Sequence, residues 1–127
     1  MRVFLVRHAE AAPGDPDELR PLTSAGRATA RRLGEELAAQ PLDAVVSSPL
    51  LRARETAERI AKHAKLVPEI DARLSPGADA QALRQAVSGR GETVVAVGHQ
   101  PDCSEMVLEL TGDHVTFAPG ALHEVEL

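Results

Sequence analysis

The sequence predicts an α/β fold: a three-layer α/β/α sandwich with a mostly parallel central sheet, formed by residues 1–127 as one domain. Three observations predict it. Short, almost wholly apolar runs (Val3 to Val6, Ala44 to Val46, Thr93 to Val97) have strand length and leave no polar face. Segments with apolar residues at helical spacing separate them. Each run stops at a cluster of polar residues, glycine or proline. Strands alternating with helices pack naturally as a parallel-centred sheet covered on both faces.

The elements follow in order. Val3-Phe4-Leu5-Val6 is the first strand, and Arg7-His8 ends it. A loop rich in Pro, Gly and Asp runs from Ala12 to Pro21. Thr23 or Ser24 then caps a helix carrying Ala30, Leu33 and Leu37 on one face, and Pro41 ends it. Ala44 to Val46 is the second strand, closed by Ser47-Ser48-Pro49. Ser48 as N-cap and Pro49 at the first helical position open a second helix, with the stripe Ala53, Ala57, Ile60, Ala61 and Ala64. Val67 to Leu74, interrupted by Pro68, is at most a short edge strand. Ala80 to Val87 is a third helix, ended by Gly89 and Gly91. Thr93 to Val97 is the next buried strand, terminated by Gly98-His99-Gln100-Pro101. A helix with Cys103, Met106, Val107 and Leu110 follows and stops at Gly112. Val115 to Phe117, Pro119-Gly120 and Leu122 to Leu127 read as a C-terminal hairpin.

A chain of 127 residues, 43% hydrophobic and 26% charged, has the make-up of a soluble globular protein with a core of its own. Phe4 and Phe117 are its only large aromatics, so Leu, Val and Ala fill that core. The net charge of -5 argues against nucleic acid or an anionic membrane as partner. No apolar run approaches a membrane span, and the N-terminal MRVFLVRHAE is charged too soon for a signal peptide. The single Cys103 leaves no internal disulfide and fits a cytoplasmic location.

In open α/β sheets, ligands bind beyond the carboxyl ends of the strands. Here those ends carry Arg7-His8, Ser47-Ser48 with the following helix turn, and His99-Gln100, and Arg52 lies in that turn. Two arginines and two imidazoles without metal-ligand spacing form an anion site, with no metal or cofactor expected. Guanidinium groups grip phosphate oxygens in bidentate fashion, and helix N-termini beside Arg52 and His99 add N–H donors. Imidazole is a competent nucleophile near neutrality. Attack by His8 on phosphorus makes a phosphoenzyme that water cleaves, while Arg7, Arg52 and a protonated His99 stabilise the equatorial oxygens.

The stretch Val6-Arg7-His8-Ala9-Glu10-Ala11 resembles the opening motif of the histidine phosphatase superfamily, the phosphoglycerate mutase-like proteins. Arg20-Pro21-Leu22-Thr23 with Gly26 is similar to its second landmark. Ser47-Ser48-Pro49-Leu50-Leu51-Arg52-Ala53-Arg54-Glu55-Thr56-Ala57 is similar to the third, and Val97-Gly98-His99-Gln100-Pro101 to the last. The resemblance spans nearly the whole chain in matching order. Small size and the Arg20-Pro21-Leu22-Thr23 stretch look most like the SixA-type phosphohistidine phosphatases. The resemblance implies that His8 is the nucleophile and that Arg7, Arg52 and His99 complete the phosphate pocket. It also implies a phosphorylated protein, or a small phosphomonoester, as the partner.

Larger members carry an acidic general acid on an insertion that this chain has little room for. Glu10, Glu55 and Asp79 are the nearest candidates. An alkoxide leaving group, with a parent pKa of about 16, needs a proton as it departs. An imidazole, with a pKa of about 6.5, leaves with little help. A site without a placed acid therefore favours phosphohistidine, and short loops suit a side chain presented by another protein. The alternatives are a small-molecule phosphomonoesterase, with Glu10 or Asp79 as acid, and a catalytically idle phosphate-binding module. A mutase would need a more enclosed site.

Blander readings stand beside these. His8 and His99 are open to reading as structural strand-end histidines. Arg20 either reaches substrate or makes a surface salt bridge. Ser48 and Gln100 are candidate phosphate donors, although capping alone explains Ser48. Arg54 and Arg59 read as solvated helix face, and His63, His114 and His123 as surface residues. Cys103 shares a helical face with Val107 and Leu110 and belongs to the core. No glycine-rich loop ending in Lys-Ser or Lys-Thr supports nucleoside-triphosphate chemistry.

Overall fold

A computed structural model describes residues 1–127. Its elements run β1 (Arg2–Arg7), α1 (Ser24–Leu37), β2 (Ala44–Ser47), α2 (Leu51–His63), β3 (Glu69–Ile70), α3 (Ala80–Val87), β4 (Thr93–Gly98), α4 (Asp102–Thr111) and β5 (Leu122–Glu126). They build one five-stranded sheet of order β3-β2-β4-β1-β5. The first four strands are parallel, and β5 runs antiparallel along β1. No helix is long and apolar enough to cross a membrane.

The unbroken apolar runs are explained by the two faces they serve, because successive side chains on a strand point to opposite sides. Val3, Leu5, Val46, Val94 and Ala96 pack on one face with Leu83 and Ala86 of α3 and Met106 and Val107 of α4. Phe4, Val6, Val45, Val95 and Val97 pack on the other with Leu33 and Leu37 of α1 and Ala57 and Ile60 of α2. Helices therefore cover both faces.

Three details differ from the sequence reading. The helix after β2 starts at Leu51 with Leu50 as its N-cap, not at Pro49 behind Ser48. Ser48 instead lies just past the strand, its N–H still donating to the Val97 carbonyl at 3.0 Å, as the extended bias before proline favours. The helix ahead of Pro41 ends at Leu37 and closes through a turn at Ala38 to Gln40. The C-terminal hairpin is absent, since Val115 to Phe117 form no strand. Their carbonyls serve side chains: Val115 accepts from the Ser104 hydroxyl at 2.6 Å and Phe117 from Arg7 Nη1 at 2.9 Å. Phe117 itself is buried in the core. β5 thus joins the sheet alone.

Register sets the site. Arg7 pairs with Gly98, and Ser47 with Val97. The residues just beyond, His8, Ser48 and His99, consequently emerge side by side at the same sheet edge.

Candidate active site

A cavity of about 360 Å³ opens at that edge, lined by Arg7, His8, Glu10, Ala11, Arg20, Arg52, Pro76, His99, Gln100 and Pro119. The four residues expected to form the pocket are thus gathered from β1, α2 and the end of β4.

His8 is fixed on several sides. Its N–H donates to the Gly98 carbonyl at 3.0 Å, and its carbonyl accepts from Gly120 N–H at 3.1 Å. Gly120 has φ +79°, and a Cβ there would also run into Thr29, so this turn requires glycine. The His8 ring places Nδ1 2.8 Å from the Ala9 carbonyl. A carbonyl only accepts, so Nδ1 carries the proton and Nε2 keeps its lone pair. The ring is thereby set to attack through Nε2.

The support behind His8 includes a residue not singled out from the sequence. Ala9 N–H donates to Thr56 Oγ1 at 3.1 Å, and the Thr56 hydroxyl donates to the Arg52 carbonyl at 2.8 Å. Thr56 is wholly buried and ties the His8 loop to α2. Thr56→Val keeps the shape but orphans the buried Ala9 N–H. We expect a loss of about 1–3 kcal/mol in chemical denaturation, together with a lower kcat as His8 loses its anchor. Gly26 has a similar positional role. A Cβ there would collide with the Glu10 carbonyl, which explains the glycine after Arg20-Pro21-Leu22-Thr23.

His99 is buried, its ring centroid 5.3 Å from that of His8 at a 58° tilt. Its Nε2 lies 2.7 Å from Ser48 Oγ, which already accepts from Leu50 N–H at 3.3 Å. The Ser48 hydroxyl thus links Nε2 of His99 to the N–H of Leu50 ahead of α2. Ser48 is therefore a partner of His99 more than a helix cap.

Burial lowers the pKa of His8 to about 4, with Arg52, Arg7 and Arg20 adding to the fall and the Ala9 carbonyl opposing it. Burial lowers His99 to about 4 as well, aided by His8 and Arg52. Without a bound anion, both rings are thus held neutral at pH 7. A phosphoryl anion beside His99 raises its pKa again. Histidine NMR titration should show both rings neutral from pH 8 to about 5, with the His99 midpoint moving up when phosphate is added. Stability has a matching sign. The unfolded chain takes up these protons near pH 6.5 and the native chain only near 4, so stability is lost as pH falls through that window.

The arginines converge through Asp17, which the sequence reading did not identify. Arg52, only 8% exposed, donates from Nη1 to the Asp17 carbonyl at 2.9 Å and from Nη2 to Asp17 Oδ2 at 3.1 Å. Arg20 donates to Asp17 Oδ1 at 3.1 Å and to the Ala12 carbonyl at 2.8 Å. Hydrogen bonds from Arg20 first, then Arg52, hold the Asp17 carboxyl below its usual range. The signal available in the sequence was an acid three positions before Arg20. Arg20 does both things weighed for it: it lines the cavity and makes the salt bridge. Arg7 Nε is buried with no partner, a donor suited to an anion.

Other expected residues are placed as follows. Gln100 lines the cavity, but its amide is engaged, accepting from Ser104 N–H at 2.9 Å and donating to Ser104 Oγ at 2.7 Å. Glu10 lines the cavity with Oε1 accepting from the Thr23 hydroxyl at 2.8 Å. Asp79 is not in the lining, and its carboxylate caps α3 by accepting from Ala82 N–H at 2.8 Å. Glu55 accepts from Leu22 N–H at 2.8 Å. Arg54 and Arg59 are half-buried, not solvated, because α1 packs close beside them. His63 and His114 are exposed, whereas His123 is half-buried edge-on to Phe117. Cys103 is core, and burial pushes its thiol up to about 12.

Known proteins share the sequence pattern and the fold of this chain. The model of the histidine phosphatase superfamily (branch 1) matches residues 3–76. An uncharacterized protein of Picosynechococcus sp. is 32% identical over 131 residues, which span 92% of this chain and 79% of that protein. The structure of the protein histidine phosphatase SixA complexed with tungstate superposes with a TM-score of 0.88 at 29% identity, over 100% of this chain and 88% of that one. The α-ribazole phosphatase from Shigella flexneri superposes with a TM-score of 0.80 over 100% of this chain and 91% of that one; at 18% identity this likeness concerns the fold.

Proposed function

The chain belongs to branch 1 of the histidine phosphatase superfamily, and on that premise we propose that it is a phosphatase that works through phosphohistidine on His8 and removes phosphate from a histidine side chain of another protein. The observation that carries the substrate assignment is the state of the carboxylates. Glu10 is the one carboxylate in the cavity lining, and it is held by Thr23. Asp17 is ion-paired with Arg52 and Arg20 and kept ionised. Neither is set to hand a proton to a departing alkoxide. Similarity to SixA, a protein histidine phosphatase, supports the same substrate class.

In the first step Nε2 of His8 forms a bond to phosphorus as the P–N bond of the substrate breaks. A phosphoimidazole protonated on its other nitrogen departs as neutral imidazole, so no acid is needed. The bond made and the bond broken are alike, and the transfer is close to balanced. Water then attacks phosphorus, the bond to His8 Nε2 breaks, and inorganic phosphate leaves. Arg7, Arg52 and Arg20 stabilise the phosphoryl oxygens in both steps, joined by His99. Guanidinium groups supply the positive charge, so turnover is proposed to be metal-independent and to survive a chelator. The single buried Cys103 fits a cytoplasmic setting.

Glu10 keeps a second reading alive, that of a small-molecule phosphomonoesterase like the α-ribazole phosphatase. Glu10→Gln separates the two. We expect phosphohistidine turnover to stay within about threefold of the parent, since only general-acid catalysis is worth about 10²–10⁴-fold. Loss of phosphohistidine turnover, or a parent enzyme faster on sugar phosphates than on a phosphohistidine protein, favours the second reading.

A further inference from the structure

Outside the active site the largest cavity is a groove of about 800 Å³ between the outer faces of α1 and α2. Arg27 and Arg31 line it from α1, and Arg59, Lys62 and His63 from α2. Glu58 is its single carboxylate, so four fixed cations face one anion on a chain whose net charge is -5. Arg27, Arg59 and Lys62 make no salt bridge anywhere, and Arg31 reaches Glu35 only at 3.7 Å with both side chains largely exposed. Acidic residues elsewhere on the chain leave these charges uncompensated.

The groove is also joined to the active site. Arg27 Nη1 donates to the Leu22 carbonyl at 3.1 Å, and Leu22 N–H donates to Glu55 of α2. Two residues earlier, Arg20 lines the catalytic cavity. One short segment, Arg20 to Leu22, therefore lines the catalytic cavity through Arg20 and holds the Arg27 side chain of the groove through the Leu22 carbonyl. Arg27 and Arg31 are one helical turn apart, as are Arg59 and Lys62, which makes two short rows of charge leading away from His8.

We infer that this groove docks an acidic segment of the phosphorylated protein, alongside the side chain delivered to His8. The inference rests on the proposed protein substrate. Complementary rows of charge orient the partner and speed encounter more than they tighten the final complex. A nucleic acid or an anionic membrane would meet the same cations, but the negative charge of the rest of the chain repels both.

The test uses R31E/K62E, since neither side chain belongs to the catalytic cavity. On an acidic, histidine-phosphorylated phosphotransfer protein, kcat/KM should fall about tenfold at low salt, equivalent to about 1.4 kcal/mol, with the gap closing as salt rises. Turnover of a small activated aryl phosphate should stay within about twofold, which also reports a folded enzyme. A fluorescent glutamate-rich peptide without phosphate supplies a readout independent of the substrate assignment. It should bind the parent protein, resist competition by inorganic phosphate, and lose about tenfold in affinity on R31E/K62E. Equal binding and equal turnover by parent and variant overturn the inference, as does tighter parent binding to a DNA duplex or an anionic vesicle than to the peptide. If the parent fails on the phosphohistidine protein but binds the peptide through the groove, the substrate assignment fails and the docking surface stands.

Discussion

His8→Ala is expected to abolish turnover, with kcat falling by on the order of 10⁴-fold or more in a phosphate-release assay. No other side chain can take over. His99 lies nearby, but its Nε2 is bonded to Ser48 and its ring is 5.3 Å from that of His8. Cys103 is buried with its thiol held protonated. The fold should survive the change. The main-chain bonds of residue 8 to Gly98 and Gly120 do not involve the ring. Burial that depresses the His8 pKa also means that the ring is costly to protonate in place. Thermal melting near pH 5 is therefore expected to be unchanged or slightly improved in His8→Ala. A variant that is inactive because it is unfolded would show itself in that melt.

Arg52→Ala ranks second, with an expected fall in kcat of about 10²–10³-fold, the scale for removing one charge-stabilising donor from a transition state. Arg52 is nearly buried and held by two hydrogen bonds to Asp17, so its charge is positioned at the cavity before substrate arrives. Arg52→Lys should recover little. Lysine keeps the charge but loses the planar pair of donors, and single-turnover kinetics on the two variants measures how much geometry matters beyond charge.

The strand cores and the gathering of the two histidines were legible in the sequence for a physical reason. Val3 to Val6, Val45-Val46 and Val94 to Val97 are buried on both sides, and a doubly covered strand has to read as an unbroken apolar run. Once those strands are parallel, their carboxyl ends bring Arg7-His8 and His99 together whatever lies between. What escaped is held by contacts with no period. Ser48 looks like a helix cap locally, but its hydroxyl is taken by His99, 51 positions away. Thr56 sits within a helical stripe and reveals its role only through Ala9. The Val115 to Phe117 segment has strand composition, yet side-chain donors from Ser104 and Arg7 take its carbonyls. Asp17 opens a short 3-10 turn (Asp17–Leu19) in a segment that reads as loop in the sequence, and only the folded chain shows that it bridges two arginines.

The proposed mechanism requires a covalent phosphoryl group on Nε2 of His8. Mixing the enzyme with a radiolabelled phosphohistidine protein, quenching within one turnover in alkali, and mapping the label by peptide mass spectrometry tests it directly. The predicted result is acid-labile, alkali-stable label on the peptide containing His8, formed and lost at rates compatible with kcat and absent from His8→Ala. Full turnover by His8→Ala, or phosphate release by the parent enzyme with no label ever on His8, would contradict it.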